Sequence, residues 1–241
     1  MESERKGNNI FLGVVGVATL IVAIIGASFA YFNIQTSSEE GAVNVTSFSF
    51  SAALSMSEIY GPGEEGIIPV DPNGEVDGAT APDNTNLAYA INVESGAKTR
   101  SCRDRNGHGI CALYEVTITN DNSEPLTLNG VIRTVENTPG NGGAAFANLK
   151  YRLVTKSGDY YTIGNTATTL GVNVDDEASL GQIVVPAKQG ASAGTYTTYI
   201  LVYLDETGDD QSGEMGANFS GQVVFTSEET EHHLTGTFNV T

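Results

Sequence analysis

Apolar and polar side chains alternate in short runs through most of this chain, and only the first 33 residues break the habit. From Val43 the run VNVTSFSFSAAL has a period close to two, with Val43, Val45, Phe48 and Phe50 among its apolar positions. That period is a strand's. The overlapping TSFSFSAALSMSEIY also leaves room for a short helix. NLAYAINVE, residues 86–94, resumes the alternation. The clearest strand is ALYEVTITN, where Tyr114, Val116 and Ile118 alternate with Leu113, Glu115, Thr117 and Thr119 and should face the core. EPLTLNGVIRTV and ANLKYRLVT follow, the latter with Leu149, Tyr151 and Leu153 on one side. GDYYTIGN and GQIVVPAKQ are shorter. GTYTTYILVYLDE is long and nearly all apolar or aromatic from Tyr196 to Leu204. NFSGQVVFTSE and LTGTFNVT complete the series.

Turn residues separate these runs, including Asn106-Gly107 and the Asn-Asp-Asn-Ser stretch at 120–123. Residues 57–86 are rich in Pro, Gly, Asp and Asn and read as a long surface loop with a short strand at Gly66–Val70. No segment beyond residue 33 keeps a helical period over three turns. The pattern predicts an all-β fold, an antiparallel β-sandwich of jelly-roll or immunoglobulin-like type, preceded by an N-terminal hydrophobic helix. It divides into residues 1–30 as signal peptide or anchor, 31–50 as an N-terminal strand, and 51–241 as the sandwich carrying the 57–86 loop.

The N-terminal run, Ile10 to Phe32, is uncharged over 23 residues, long enough to cross a bilayer as a helix. Arg5 and Lys6 precede it, diluted by Glu2 and Glu4. Ser28 and Ala30 occupy the −3 and −1 positions of a cut before Tyr31, and small residues there favour removal by signal peptidase. A retained anchor, attached to the membrane through residues 10–32, stays open. A type IV-like pilin that keeps the helix as a filament spine is a third reading. Against it, no Glu stands five residues into a helix beginning after Gly7.

Charge narrows the partners. The chain has 241 residues and a formal net charge of −18, from 29 acidic and 11 basic side chains. Nucleic-acid binding needs a cationic face and is disfavoured. Two cysteines, Cys102 and Cys111, lie close together downstream of an export-like segment and read as one disulfide formed in an oxidising compartment. The DRNGHG stretch between them offers Asp104 and Asn106 as oxygen ligands but lacks the distal Glu of a calcium loop. LDETGDDQSGE, residues 204–214, crowds Asp205, Glu206, Asp209 and Asp210, and VDDE at 174–177 is a second cluster. A calcium ion would relieve such crowding, and a solvated loop would equally tolerate it. EETEHHLTG, residues 228–236, places His232 and His233 side by side, not at the i, i+4 helical spacing of a hydrolytic zinc site. No catalytic constellation emerges and no cofactor other than calcium is implied.

Three segments together resemble the camelysin/TasA family of exported bacterial matrix proteins: LGVVGVATLIVAIIGASFAYFN, LYEVTITNDNSEPLTL and YILVYLDETGDDQSGEMGANFSGQVVFTS. The resemblance implies a signal peptide cut by a SipW-type peptidase and a jelly-roll-like sandwich outside the cell. It also implies head-to-tail polymerisation with other copies of the same chain. In that family the mature N-terminal strand completes the sheet of the next subunit, which here assigns the donor role to Tyr31 to about Phe50, with Val43, Val45, Phe48 and Phe50 as its apolar contacts. The 57–86 loop and the cysteine pair have no counterpart in the resemblance. Camelysin's metalloprotease label is not carried over, because no zinc-protease motif is present. The expectation is an extracellular structural subunit of a surface or biofilm-matrix fibre. A membrane-anchored monomeric adhesion protein is the alternative.

Overall fold

The computed structural model describes residues 51–63, 66–77, 79, 85–92, 101–228 and 232–241. The hydrophobic N-terminal helix, the cleavage residues Ser28, Ala30 and Tyr31, and the assembly residues Val43, Val45, Phe48 and Phe50 lie outside the described residues. Among the described residues no helix is long and apolar enough to cross a membrane.

Among the described residues ten strands, one short α-helix and one 3-10 turn follow one another: β1 (Ala52–Tyr60), α1 (Asn86–Ile91), β2 (Ala112–Asn120), β3 (Leu126–Thr138), β4 (Leu149–Ser157), β5 (Tyr160–Ile163), β6 (Thr168–Thr169), β7 (Glu177–Val185), β8 (Gly194–Leu204), the 3-10 turn (Ser212–Glu214), β9 (Asn218–Ser227) and β10 (His233–Val240). They form two antiparallel sheets. The first is six-stranded, in the order β1-β2-β8-β4-β5 with β6 on β4, and the second is four-stranded, β10-β9-β3-β7. The sheets face each other across one core. Tyr114, Val116 and Ile118 of β2 lie in it, with Ile200, Val202 and Leu204 of β8 and Phe219, Val223 and Phe225 of β9. The period of two in β2 therefore selects the buried set as predicted.

The stretch TSFSFSAALSMSEIY holds no helix in its described part. Residues 52–60 form β1, paired with β2 from Ala52↔Asn120 to Tyr60↔Leu113. The irregular segment expected from residue 57 accordingly begins after Tyr60. The expected strand at Gly66–Val70 reduces to a single bridge, Val70↔Asp205.

NLAYAI, expected as a strand, is α1 instead. Leu87, Ala90 and Ile91 recur at helical spacing and are fully buried, but a helix of six residues is too short to display a period. Thr85 caps its start by accepting from Ala88 N. Asn92 closes its end and is itself fully buried. Its Nδ2 donates to Ala88 O and Tyr161 O, and its Oδ1 accepts from Tyr161 N at 2.7 Å. The amide thus pairs with β5 as a strand's backbone would, and no polar atom of Asn92 is stranded in the interior.

These pieces build a second core on the outer face of the first sheet. Val70, Leu87, Ile91, Cys102, Ile110 and Cys111 cover Leu113, Val154, Tyr161, Tyr199, Leu201 and Tyr203. The described parts of the segment between β1 and β2 therefore form a layer over the sheet. It explains why β8 is apolar on both faces from Tyr199 to Leu204.

Candidate functional site

Three features carry chemistry or contact: the disulfide turn, the acidic loop after β8, and the strand edges. The structure holds Cys102 and Cys111 in a disulfide, Cα atoms 5.0 Å apart, both fully buried in the outer core. Cys102 N donates to Ala90 O, which fastens the bridge to α1, and Ile110 N donates back to Cys102 O. Between the cysteines the Asp104 carboxylate organises the turn. Its Oδ1 accepts from Asn106 N at 2.8 Å and His108 N at 2.9 Å, and Oδ2 lies 3.4 Å from His108 Nδ1. Gly107 takes φ +90°, as the Asn-Gly signal requires. Asp104 is thus engaged as a turn cap.

Partial burial pulls the Asp104 pKa up, but the hydrogen bonds from His108 and Asn106 outweigh it and hold the carboxyl below 3.8. A depressed carboxyl contributes stability above its unfolded value and loses it as pH falls through the folded one. The turn is expected to stay intact down to about pH 4 and loosen below. The amide proton resonances of Asn106 and His108 should shift with that transition, and Asp104→Asn should remove their pH dependence. Invariant resonances in the native chain would refute it.

The four carboxylates expected to share a cation do not converge. Asp205 Oδ2 accepts from Lys150 Nζ at 2.5 Å, while its backbone bridges Val70. Asp210 Oδ1 accepts from Ser212 N at 2.9 Å, and the Ser212 bonds lower its pKa. Glu206 and Asp209 are exposed. Gln211, which the charge pattern gave no reason to notice, closes the loop: Oε1 accepts from Thr207 N and Nε2 donates to Asp205 O, each at 3.0 Å. Glu214, 7 % exposed, turns inward, accepting from Ala147 N and Asn148 Nδ2. In the VDDE cluster, Asp176 accepts from Asn173 and Glu177 pairs with Arg133. Among the described residues no group of three or more His, Cys, Asp or Glu side chains could hold a metal ion. His233 contacts Thr226 Oγ1 through Nδ1 at 2.9 Å, and its neighbour His232 offers its main-chain oxygen to Ser227.

The strand edges are treated unequally. β5 is capped by Asn92, as described. The end of β10 is sewn down, with Ile67 N donating to Thr241 O and the Tyr114 hydroxyl to Asn239 O at 2.6 Å. Burial pushes the Tyr114 pKa well up, so it stays a donor. β7 is different. Among the described residues this nine-residue strand pairs with β3 alone, over eight register pairs with Leu180 bulged out. Tyr151 donates to Ser179 O, and Gly181 N donates to Ser179 Oγ. Among the described residues no other strand pairs with that edge, and an unpaired edge is the usual template for strand addition.

The chain joins β1 at a fixed point. Fully buried Asn120 donates to Glu124 O and Pro186 O and accepts from Asn122. Asn122 in turn accepts from Ser51 N at 3.1 Å, and Asp121 N donates to Ser51 O. The predicted turn at 120–123 is therefore also the clasp on Ser51, the residue before β1.

No family model matches the chain, and no curated protein matches it. Among solved structures it is similar to a FixG-related protein from Vibrio parahaemolyticus, with 8% identity and a TM-score of 0.29, covering 54% of this chain and 76% of that one. A family 123 glycoside hydrolase from Clostridium perfringens has 12% identity and the same TM-score of 0.29, covering 54% of this chain and 20% of that one.

Proposed function

We propose that the chain is an extracellular structural subunit that polymerises head to tail by strand donation, with no catalytic role. The observation that carries this reading is the edge of β7, which among the described residues pairs with β3 alone, together with the strand-patterned sequence that precedes Ser51. An added strand would gain main-chain bonds along the whole edge, and alternate side chains would set its register. A donor that leaves its own domain makes a heterologous contact, and such contacts propagate into open filaments. The crossing of strands between two sheets supports a jelly-roll-like reading of the sandwich. The disulfide supports an oxidising, exported location. Calcium at Asp205, Glu206, Asp209 and Asp210 has no support from the loop's geometry and is not part of this function.

The second reading, a membrane-anchored monomeric surface protein, is favoured by the uncharged 23 residues at 10–32. The first N-terminal residue of the protein recovered from cells separates the two. Tyr31 at the start of material in high-molecular-weight filaments is the expected result. Residues 1–30 intact in a non-filamentous membrane fraction would leave the anchored reading standing instead.

A further inference from the structure

The Asn106-Gly107 turn between the cysteines is one of four Asn-Gly pairs in the chain, with Asn73-Gly74, Asn129-Gly130 and Asn141-Gly142. Such a pair rearranges without an enzyme when glycine's unshielded main-chain nitrogen attacks the asparagine side-chain carbon. All four asparagines are exposed, so exposure does not choose among them. The attack needs the peptide between the two residues to swing out of its folded orientation, so the freedom of the glycine does. Three of the pairs are held. Gly130 lies inside β3 between β7 and β9, and a Cβ on it would stand 2.5 Å from the Phe225 ring. Gly142 N donates to Met215 O at 3.1 Å, and a Cβ there would stand 2.4 Å from Gly213 O and Ser212 O. Gly74 N donates to Asp71 O at 3.2 Å and Gly74 O accepts from Asn86 N at 3.0 Å. A Cβ on Gly74 would stand 2.6 Å from Asn86 Nδ2, and Asn73 Oδ1 accepts from Arg152. Gly107 differs: no atom lies within 4 Å of the position a Cβ would take. Its nitrogen makes only the local turn bond to Asp104 O, at 3.2 Å, and its oxygen takes the flexible Arg103 side chain. Among the described residues the Asn106 side-chain amide has no partner.

We infer that Asn106 is a site of spontaneous deamidation, the one Asn-Gly pair of the four that the fold leaves free to react. Gly107 N bonds to Asn106 Cγ and the Cγ–Nδ2 bond breaks. The proton of Gly107 N passes through water to the departing nitrogen, which leaves as ammonia. One water then opens the resulting succinimide at either carbonyl, giving aspartate or isoaspartate at position 106. Water is the only co-reactant, and nothing is oxidised or reduced. The product carries one more negative charge in the turn that Asp104 organises. In the isoaspartyl form the main chain also gains a methylene between Asn106 N and His108 N, the two donors that Asp104 Oδ1 now holds together. That form therefore gives up the His108 bond, while the disulfide keeps the altered turn tethered at Cys102 and Cys111. The site is independent of polymerisation, since it uses neither the β7 edge nor any residue before Ser51.

Ageing of the full chain in detergent at neutral pH tests it, with mass spectrometry of peptides released at acid pH, where the ring closes slowly. The expected result is a gain of about 1 Da at position 106 that accumulates at least tenfold faster than at positions 73, 129 and 141. The same chain aged in urea is the reference. There all four pairs should convert at similar rates, because each has glycine next and none is held. Asn106→Gln lengthens the side chain and disfavours ring closure. It should remove the gain in charge seen on isoelectric focusing and leave the melting temperature unchanged. A native chain that gains no mass at position 106, or gains it no faster than at the other three, would overturn the inference. So would a tenfold preference that survives in urea, since the local sequence and not the fold would then select the site. A charge gain that persists undiminished in Asn106→Gln would overturn it as well.

Discussion

Replacing Phe225 by Ala is expected to destabilise the protein by about 3–5 kcal/mol. Phe225 is 1% exposed between the two sheets. Its ring lies against Gly130 of β3, its register partner, so closely that a Cβ there would sit 2.5 Å from Phe225 Cε1. The missing side chain of Gly130 is the space the ring fills. The reciprocal change, Gly130→Ala, forces that contact and should cost about 1–3 kcal/mol as overpacking. Made together, the two changes should cost less than their sum, because the added methyl enters the cavity the ring leaves. For a chain of this size Phe225→Ala alone should lower the melting temperature by roughly 6–20 °C. Thermal melting of the two single variants and the double variant is the measurement. Strictly additive effects would show that ring and glycine do not share one space.

Removing the disulfide, with Cys102→Ser and Cys111→Ser together, should have the next largest effect, and a local one. Closing a loop of about ten residues stabilises by roughly 2.5–3 kcal/mol in the chain-entropy account. Both cysteines also belong to the outer core and to no other, so the loss falls on the layer that covers the first sheet. Amide exchange in α1 and residues 101–111 should rise, while β3 and β9, which lie in the inner core, stay protected. Loosening the layer bares Leu113, Leu201 and Tyr203 on the sheet beneath, and binding of an apolar dye should increase. Uniform loss of protection across both cores would show that the layers unfold as one unit.

The strands were legible wherever one face is buried and the other wet. β2 is the clearest case, because Glu115, Thr117 and Thr119 stand between Tyr114, Val116 and Ile118. The tract Tyr199–Leu204 was legible as a strand but not as one covered twice. The covering comes from short pieces scattered between β1 and β2, none with a period of its own. α1 was missed for that reason. The acidic loop misled in another way. Carboxylates close in sequence suggested a shared ion, whereas Lys150 takes Asp205, Ser212 takes Asp210, and Ala147 and Asn148 together take Glu214. Lys150, Ala147 and Asn148 lie far along the chain from the carboxylates they meet and leave no local signature. Gln211 is the opposite case, a local residue whose type says nothing of its two bonds until the loop is folded.

The clasp on Ser51 has a mechanical consequence. Gly236 of β10 lies against Leu54 and Met56 of β1, and Asn239 takes the hydroxyl of Tyr114, which is paired with Glu58. The two strands therefore run in the same direction, with Ser51 at one end of the sandwich and Thr241 at the other, beside Ile67. Tension between those two points pulls along the strands. β1 is dragged lengthwise past β2, and β10 past β9, so every bond of each ladder bears the load at once. Pulled this way the sandwich resists in shear and does not unzip bond by bond.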